Sequence, residues 1–177
     1  VFLSKKLKAP YIKEKYRLIY APEPAVYHGP DTPSFRQGEN YTEWVVNDFS
    51  MLKGPDGDWH AIGITHPQPP RFTSAFDFDE TNVHEAENQL FHAVFSGSLR
   101  ELYQGGRMEQ KDILLYPQER PGEVPECWAP AVFPWNDGYR MLYTPECMKT
   151  ATSPDLYRWQ PQGELFRSDN YWMRDPY

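Results

Sequence analysis

The chain has 177 residues, a mass of 20.8 kDa, a formal net charge of −7 and a pI near 5.2. This length suits one domain that buries a hydrophobic core. The mean hydropathy is −0.75, and no apolar run is long enough to span a bilayer. Since a net-acidic chain is a poor match for phosphate backbones, we expect neither nucleic acid nor a membrane as partner.

Aromatic residues and turn-forming residues dominate the composition. The chain has 6 Trp, 12 Tyr and 10 Phe, together with 18 Pro and 11 Gly. Short aromatic strands separated by Pro and Gly turns are typical of all-β folds. We therefore predict an all-β protein whose helices do not exceed two turns.

The N-terminal part lacks regular periodicity. Residues 1–40 are predicted to form an extension that packs on the rest of the molecule. Within it, residues 16–20 could form one strand, and the Pro-rich run 21–33 is predicted to be a surface connection.

A hairpin signal begins at Trp44 and opens a four-stranded unit. The apolar runs 44–52 and 59–65 flank the turn 53–58, in which Pro-Asp-Gly supplies the backbone angles that a turn needs. Residues 66–88 form a long loop, which is usually functional or mobile in a compact domain. The unit is completed by two further predicted strands, at residues 89–96 and 112–116.

The same pattern then repeats. A second hairpin is predicted from residues 127–133 and 139–144, a further strand pair follows within 151–159 and 163–166, and a third unit opens at 171–177. Repetition of a four-stranded antiparallel unit indicates a β-propeller.

The second hairpin also places the two cysteines. If residues 136–138 form a three-residue loop, Cys127 and Cys147 lie opposite each other on the two strands. A disulfide and two neighbouring thiols are both compatible with that register.

Five short motifs occur in order along residues 41–177. They are Trp44-Val-Val-Asn47-Asp48-Phe49, Phe91-His92-Ala93 with Ser96 and Leu99, Trp128-Ala129-Pro130, Ser153-Pro-Asp155-Leu156 with Trp159, and Arg174-Asp175-Pro176. Their order and spacing resemble the five-bladed β-propeller glycoside hydrolases, the arabinanase-like family 43 and the invertase-like family 32. The resemblance implies that this chain supplies roughly the first two blades and the start of the third blade of a catalytic propeller.

The resemblance implies an activity and site residues. Members of these families cleave furanosides, such as fructosyl or arabinosyl glycans, with paired carboxylates. Asp48 lies at the position of the nucleophile or base, and Asp175 lies at that of the carboxylate that stabilises the transition state. The resemblance also suggests substrate-binding roles for the neighbours Asn47 and Arg174 and for Trp128, although Trp128 could equally pack between blades.

Glu126 and His84 are two further candidates for the substrate pocket. Glu126 precedes Cys127 as in the acid/base motif of the invertase-like family, but it falls before Arg174-Asp175-Pro176 rather than after it, so a structural role is favoured. His84 could lie at the rim of the sugar pocket together with Glu87, or on a solvated loop. Alternation along one strand would put Glu85 and Glu87 on one face and His84 on the other, which disfavours a shared metal site.

The chain ends at Tyr177, which leaves room for only about two blades of 40–50 residues each plus one strand. We therefore expect the general acid and the remaining blades to lie in a companion polypeptide or a C-terminal half. No cofactor is required, and the resemblance allows a structural Ca²⁺ near the propeller axis without assigned ligands. We expect a secreted or periplasmic rather than a cytoplasmic protein.

Two other functions compete with hydrolysis. A carbohydrate-binding propeller without catalysis would keep the aromatic platform and lose the paired carboxylates. A phosphorylase on the same fold would need a basic phosphate pocket, for which Arg174 is a single candidate.

Overall fold

A computed structural model describes residues 15–68, 86–120 and 123–167, and these contain two four-stranded antiparallel sheets and a small two-stranded one. The strands are β1 (Ala25–Val26), β2 (Asn40–Tyr41), β3 (Trp44–Lys53), β4 (Trp59–Pro67), β5 (Gln89–Phe95), β6 (Glu109–Gln110), β7 (Trp128–Trp135), β8 (Gly138–Thr144), β9 (Met148–Ser153) and β10 (Gln160–Phe166). The helices are α1 (Leu99–Tyr103) and a short 3₁₀-helix (Pro117–Glu119). The all-β prediction is confirmed.

The first sheet has the order β3-β4-β5-β6 and contains the predicted hairpin. Lys53 pairs with Trp59 across the turn, where Gly57 has a φ of +89° and the Asp56 carboxylate accepts the Asp58 amide at 3.0 Å. Strand β4 is buried along almost its whole length because sheet neighbours flank it on both edges and side chains cover both of its faces.

The fourth strand of this sheet differs from the prediction. It lies at Glu109–Gln110, and in the predicted range 112–116 only Leu114 makes an isolated bridge, to Leu90. Leu115 has a φ of +49°, which is incompatible with a continuous strand. The apolar run instead places Leu114 and Leu115 in the core.

The second sheet has the order β10-β9-β8-β7. Residues 151–159 do not form the single predicted strand, since β9 ends at Ser153 and the chain turns before β10. In that turn the Ser153 hydroxyl accepts the Leu156 amide at 2.9 Å, and the Asp155 carboxylate accepts the Arg158 amide at 2.9 Å. These side-chain bonds replace the backbone ladder there.

The predicted register of the two cysteines is wrong. The β7–β8 turn has two central residues, Asn136 at a φ of +50° and Asp137, so Trp135 pairs with Gly138 rather than with Tyr139. A second register shift lies between Trp128 and Ala131. Cys127 and Cys147 are both buried free cysteines, and burial raises the pKa of the Cys127 thiol to about 11.

The two sheets pack face to face around the main core. Ile62 and Ile64 of β4 and Leu90 of β5 meet Met141 and Tyr143 of β8 there, and all five are essentially buried. The two units therefore bury one face of each sheet against the other, as a repeat architecture requires.

The N-terminal segment departs from the prediction in two ways. Residues 16–20 form no strand, and the run 21–33 is more than a surface connection, because Tyr27 is fully buried beside Phe35 and Trp44. The segment also contacts the first sheet, where the Tyr20 ring stacks on Phe91 with centroids 4.9 Å apart. Within the described residues, no helix is long and apolar enough to cross a membrane.

Candidate active site

Asp48 occupies a β-bulge in β3. Asn47 pairs with Ile64 and Phe49 pairs with Gly63, so Asp48 is an extra residue without a partner across the strand pair. Gly63 permits this geometry, because a Cβ there would lie 2.5 Å from the Phe49 Cβ and 2.8 Å from the Asp48 carbonyl oxygen. Bulges commonly re-aim a side chain beside an active site.

Asn47 supplies the hydrogen bond that the bulge removes from the ladder. Its Oδ1 accepts the Asp48 backbone N–H at 3.0 Å, and its Nδ2 donates to Oε1 of Glu87 at 3.4 Å. Glu87 is 2% exposed. A buried carboxylate thus holds the side chain that in turn holds the backbone of Asp48.

Ser50 joins the bulged strand to the second sheet. Its hydroxyl donates to the Pro130 carbonyl at 2.6 Å and accepts the Val132 backbone N–H at 3.0 Å. Strands β3 and β7 belong to different sheets, so this side chain takes the place of a backbone ladder between them. It fixes the position of Asp48, two residues earlier, relative to β7.

Strand β7 has a bulge at the position that corresponds to the one in β3. Residues 129 and 130 together oppose Tyr143, and Ala129 is buried with a φ of +44°. A non-glycine residue in this region is held there by its surroundings and is worth examining for function. Trp128, immediately before it, is half-buried and packs against the main core.

Buried Arg120 joins the segments that precede β5 and β7. Its guanidinium donates to the carbonyl of Asn88 at 2.7 Å and to that of Glu126 at 2.8 Å. Beside it, the Cys127 N–H donates to the Glu87 carbonyl at 2.8 Å. These bonds bring Glu87 and Glu126 to the same junction between the sheets.

The carboxyl of Glu126 is half-buried, and burial raises its pKa, with Glu146 adding to the effect and Lys149 and Arg120 opposing it. A raised pKa keeps a larger fraction of a carboxyl group protonated and so able to donate a proton. Lys149, buried in the same region, has its pKa lowered, chiefly by burial.

The structure thus brings four of the predicted site residues to one junction between β3 and β7. Asn47, Asp48, Glu126 and Trp128 are linked there through Glu87, Ser50 and the Cys127 backbone. The other predicted residues, His84, Arg174 and Asp175, lie outside the described residues. The pairing of Asp48 with Asp175 therefore stays a prediction.

The sequence gives little sign of three residues of this junction. Its pattern indicates Glu87 only as a rim residue together with His84, and Ser50 and Arg120 carry no motif. Their partners lie 40, 80 and 32 residues away for Glu87, Ser50 and Arg120 respectively, so no local pattern could reveal them.

Metal binding finds no support in the parts of the chain that the structure describes. There, no three His, Cys, Asp or Glu side chains come together in a way that could hold a metal ion. The structural Ca²⁺ that the resemblance allows therefore has no such cluster among the described residues and stays a prediction.

Comparison with known proteins identifies the fold to which this architecture belongs. No family model matches the sequence, and no curated protein matches it. A solved GH43 β-xylosidase/α-arabinofuranosidase from a compost microbial metagenome, in complex with xylotriose and in a calcium-free form, has a TM-score of 0.51 and 15% identity. The similarity covers 86% of this chain and 42% of that enzyme.

This chain has the fold of part of a GH43 β-propeller. A GH43 β-1,3-galactosidase solved with galactodeoxynojirimycin is also similar, with a TM-score of 0.45, 13% identity, and coverage of 70% of this chain and 29% of that one. The chain thus spans less than half the length of either structure. In this fold each four-stranded sheet of the chain corresponds to one blade, β3 to β6 to one and β7 to β10 to the next. The predicted fold class, a β-propeller, is confirmed.

Proposed function

We propose that this protein is a glycoside hydrolase in which Asp48 acts directly at the anomeric carbon. The observation that carries the proposal is the bulge in the first strand of the first blade, where Asn47 and Glu87 hold an otherwise unpaired Asp48. The GH43-type propeller fold supports it. An aspartate is unusual in a strand, and a bulge kept open by Gly63 is a specific provision for it.

The chemistry needs two carboxyl groups, one on each side of the scissile bond. In the proposal, Asp48 is the nucleophile or the base that activates water, and Asp175, with Arg174 beside it, stabilises the oxocarbenium-like transition state. The general acid is expected in later blades. Asn47, Trp128, His84 and Glu126 are proposed to contact the sugar.

For the substrate we propose a furanoside-type glycan, with an arabinosyl or fructosyl unit. The support is the sequence resemblance, together with the α-arabinofuranosidase activity in the name of the similar compost enzyme. The companion polypeptide, the secreted or periplasmic location and a structural Ca²⁺ stay predictions. Nothing in the comparisons supports the companion chain.

The proposal is tested with a panel of substrates. Aryl α-L-arabinofuranoside, aryl β-D-xyloside, arabino-oligosaccharides and sucrose would be assayed with the wild type and Asp48→Asn, and binding measured by calorimetry. We expect Asp48→Asn to lower kcat by about 10²–10⁴-fold, the range for loss of a positioned base, with binding retained. The matched control is Asp137→Asn, in the exposed β7–β8 turn, which should keep full activity.

Two results would contradict the proposal in different ways. Wild-type rates in Asp48→Asn would remove Asp48 from the reaction. Binding of these sugars without any turnover, by a protein that includes the later blades, would instead identify a carbohydrate-binding propeller.

A further inference from the structure

A polar cavity lies away from the Asp48 bulge. Its volume is about 510 Å³, within the range of small-molecule sites. Residues of β5 and of the edge strand β6 line it, whereas Asp48 lies on β3, the strand at the opposite edge of the same sheet. Its lining includes Glu23, His92, Lys111, Asp112, Tyr157 and Arg158.

A chain of buried imidazoles leads into this cavity. Nε2 of His60 lies 3.1 Å from Oδ1 of Asp56, and Nδ1 of His60 lies 2.8 Å from Nε2 of His92. Both histidines are at most 1% exposed. The Tyr157 ring packs edge-on against both, with centroids at 5.3 and 4.9 Å, and its hydroxyl donates to Oδ2 of Asp56 at 3.1 Å.

These contacts fix the direction of the protons when both rings are neutral. The Asp56 carboxylate accepts, so Nε2 of His60 must carry a proton and its Nδ1 must accept one from His92. The remaining nitrogen, Nδ1 of His92, then holds a lone pair. This atom is buried and has no hydrogen-bond partner among the described residues.

Among the described residues, the cavity leaves no free cation for an anion. Of the two cations in this described lining, Lys111 is 2.7 Å from Glu109 and Arg158 is 2.7 Å from Asp155, so both already have a partner. An anion therefore finds no unpaired positive charge on the described lining, and the lining carboxylates Glu23 and Asp112 remain as hydrogen-bond acceptors. Donors and acceptors nevertheless surround the cavity densely, and a neutral molecule rich in hydroxyl groups can use both.

We propose that this cavity binds a neutral saccharide, one of whose hydroxyl groups donates a hydrogen bond to Nδ1 of His92. The lone pair that Asp56 and His60 orient is the acceptor, and Asp112 and Glu23 are the further acceptors at the mouth. Because Nδ1 is covered, the saccharide reaches it by displacing an exposed side chain of the lining. The site is independent of activity at Asp48.

The test is ¹⁵N NMR of the His92 ring at pH 8 during titration with xylobiose, lactose, sucrose or maltose, and separately with inorganic phosphate. We expect the Nδ1 resonance to move with at least one disaccharide and not with phosphate. Asp112→Ala should weaken that binding about fivefold, the effect of one lost hydrogen bond. Arg100→Ala, on exposed α1, is the matched control and should not change it.

Three results would overturn the proposal. They are an Nδ1 resonance unmoved by every disaccharide, a response to phosphate alone, and a response that Asp112→Ala leaves intact. Asp48→Asn separates the two sites: it should leave the His92 response unchanged, whereas its loss in that variant would assign the response to the Asp48 site.

Discussion

Ser50 offers a direct probe of how the two blades are joined beside Asp48. Its hydroxyl makes two hydrogen bonds to β7, one to the buried Pro130 carbonyl and one from the Val132 N–H. Ser50→Ala removes both. The variant leaves a buried carbonyl without its partner and releases β3 from β7 two residues after Asp48.

The expected magnitude follows from those two bonds. Each contributes about 1 kcal/mol, and the unsatisfied carbonyl adds a desolvation cost, so the free energy of unfolding should fall by about 3 kcal/mol. For a chain of this size that corresponds to a drop of roughly 6–12 °C in Tm. Turnover should fall as well, because Asp48 loses its fixed position relative to β7.

The assay is thermal unfolding by circular dichroism, with Thr42→Ala as control, since Thr42 is exposed and lies outside the strands. The control should stay within about 0.5 kcal/mol of the wild type. If Ser50→Ala unfolds at the same temperature as Thr42→Ala, the bridge between the blades contributes nothing and the reasoning fails.

Three further variants test other parts of the structure. Glu126→Gln should stabilise the protein at pH 7 but not at pH 4. Burial raises the pKa of this carboxyl, so the stability that the protonated carboxyl contributes is lost as pH rises through that pKa. Equal effects of the substitution at both pH values would refute this. The pKa of His92 is lowered to about 3, chiefly by burial, so below pH ~6.5 the unfolded state binds a proton that the folded state does not. The free energy of unfolding should therefore fall by about 2 kcal/mol between pH ~6.5 and pH 5. Chemical denaturation at pH 6.5 and pH 5 should show that the free energy of unfolding changes less with pH in His92→Gln than in the wild type. An equal change in both proteins would contradict this role of His92. Gly63→Ala should cost about 1–3 kcal/mol by overpacking against Phe49 and the Asp48 carbonyl, and a neutral result in the same denaturation assay would show that the bulge does not need glycine.

The hairpin of β3 and β4 could be predicted because local signals agree there. Strand propensity, apolar runs and a Pro-Asp-Gly turn all indicate the same structure, and Asp48 falls within it. Residues 112–116 failed for the opposite reason. Their apolar pattern reflects burial in the core, while the positive φ of Leu115 excludes a strand.

The environment of Asp48 could not be predicted because it depends on distant residues. Asn47 is held by Glu87, and the bulged strand by Pro130, 80 residues after Ser50. The bulge in β7 also lacks a signal, since Ala129 is not a residue type that favours a positive φ. The error in the cysteine register has a similar source: one residue in a turn and one bulge shifted the pairing.

The central claim is that the Asp48 carboxylate acts at the anomeric carbon. It is tested most directly by chemical rescue: Asp48→Gly, assayed on the best aryl glycoside of the panel with and without sodium azide. The account predicts that Asp48→Gly loses turnover, that azide restores part of it by occupying the vacated carboxylate position, and that a glycosyl azide is formed. Full turnover in Asp48→Gly without azide would contradict the account, and so would a loss that azide does not restore.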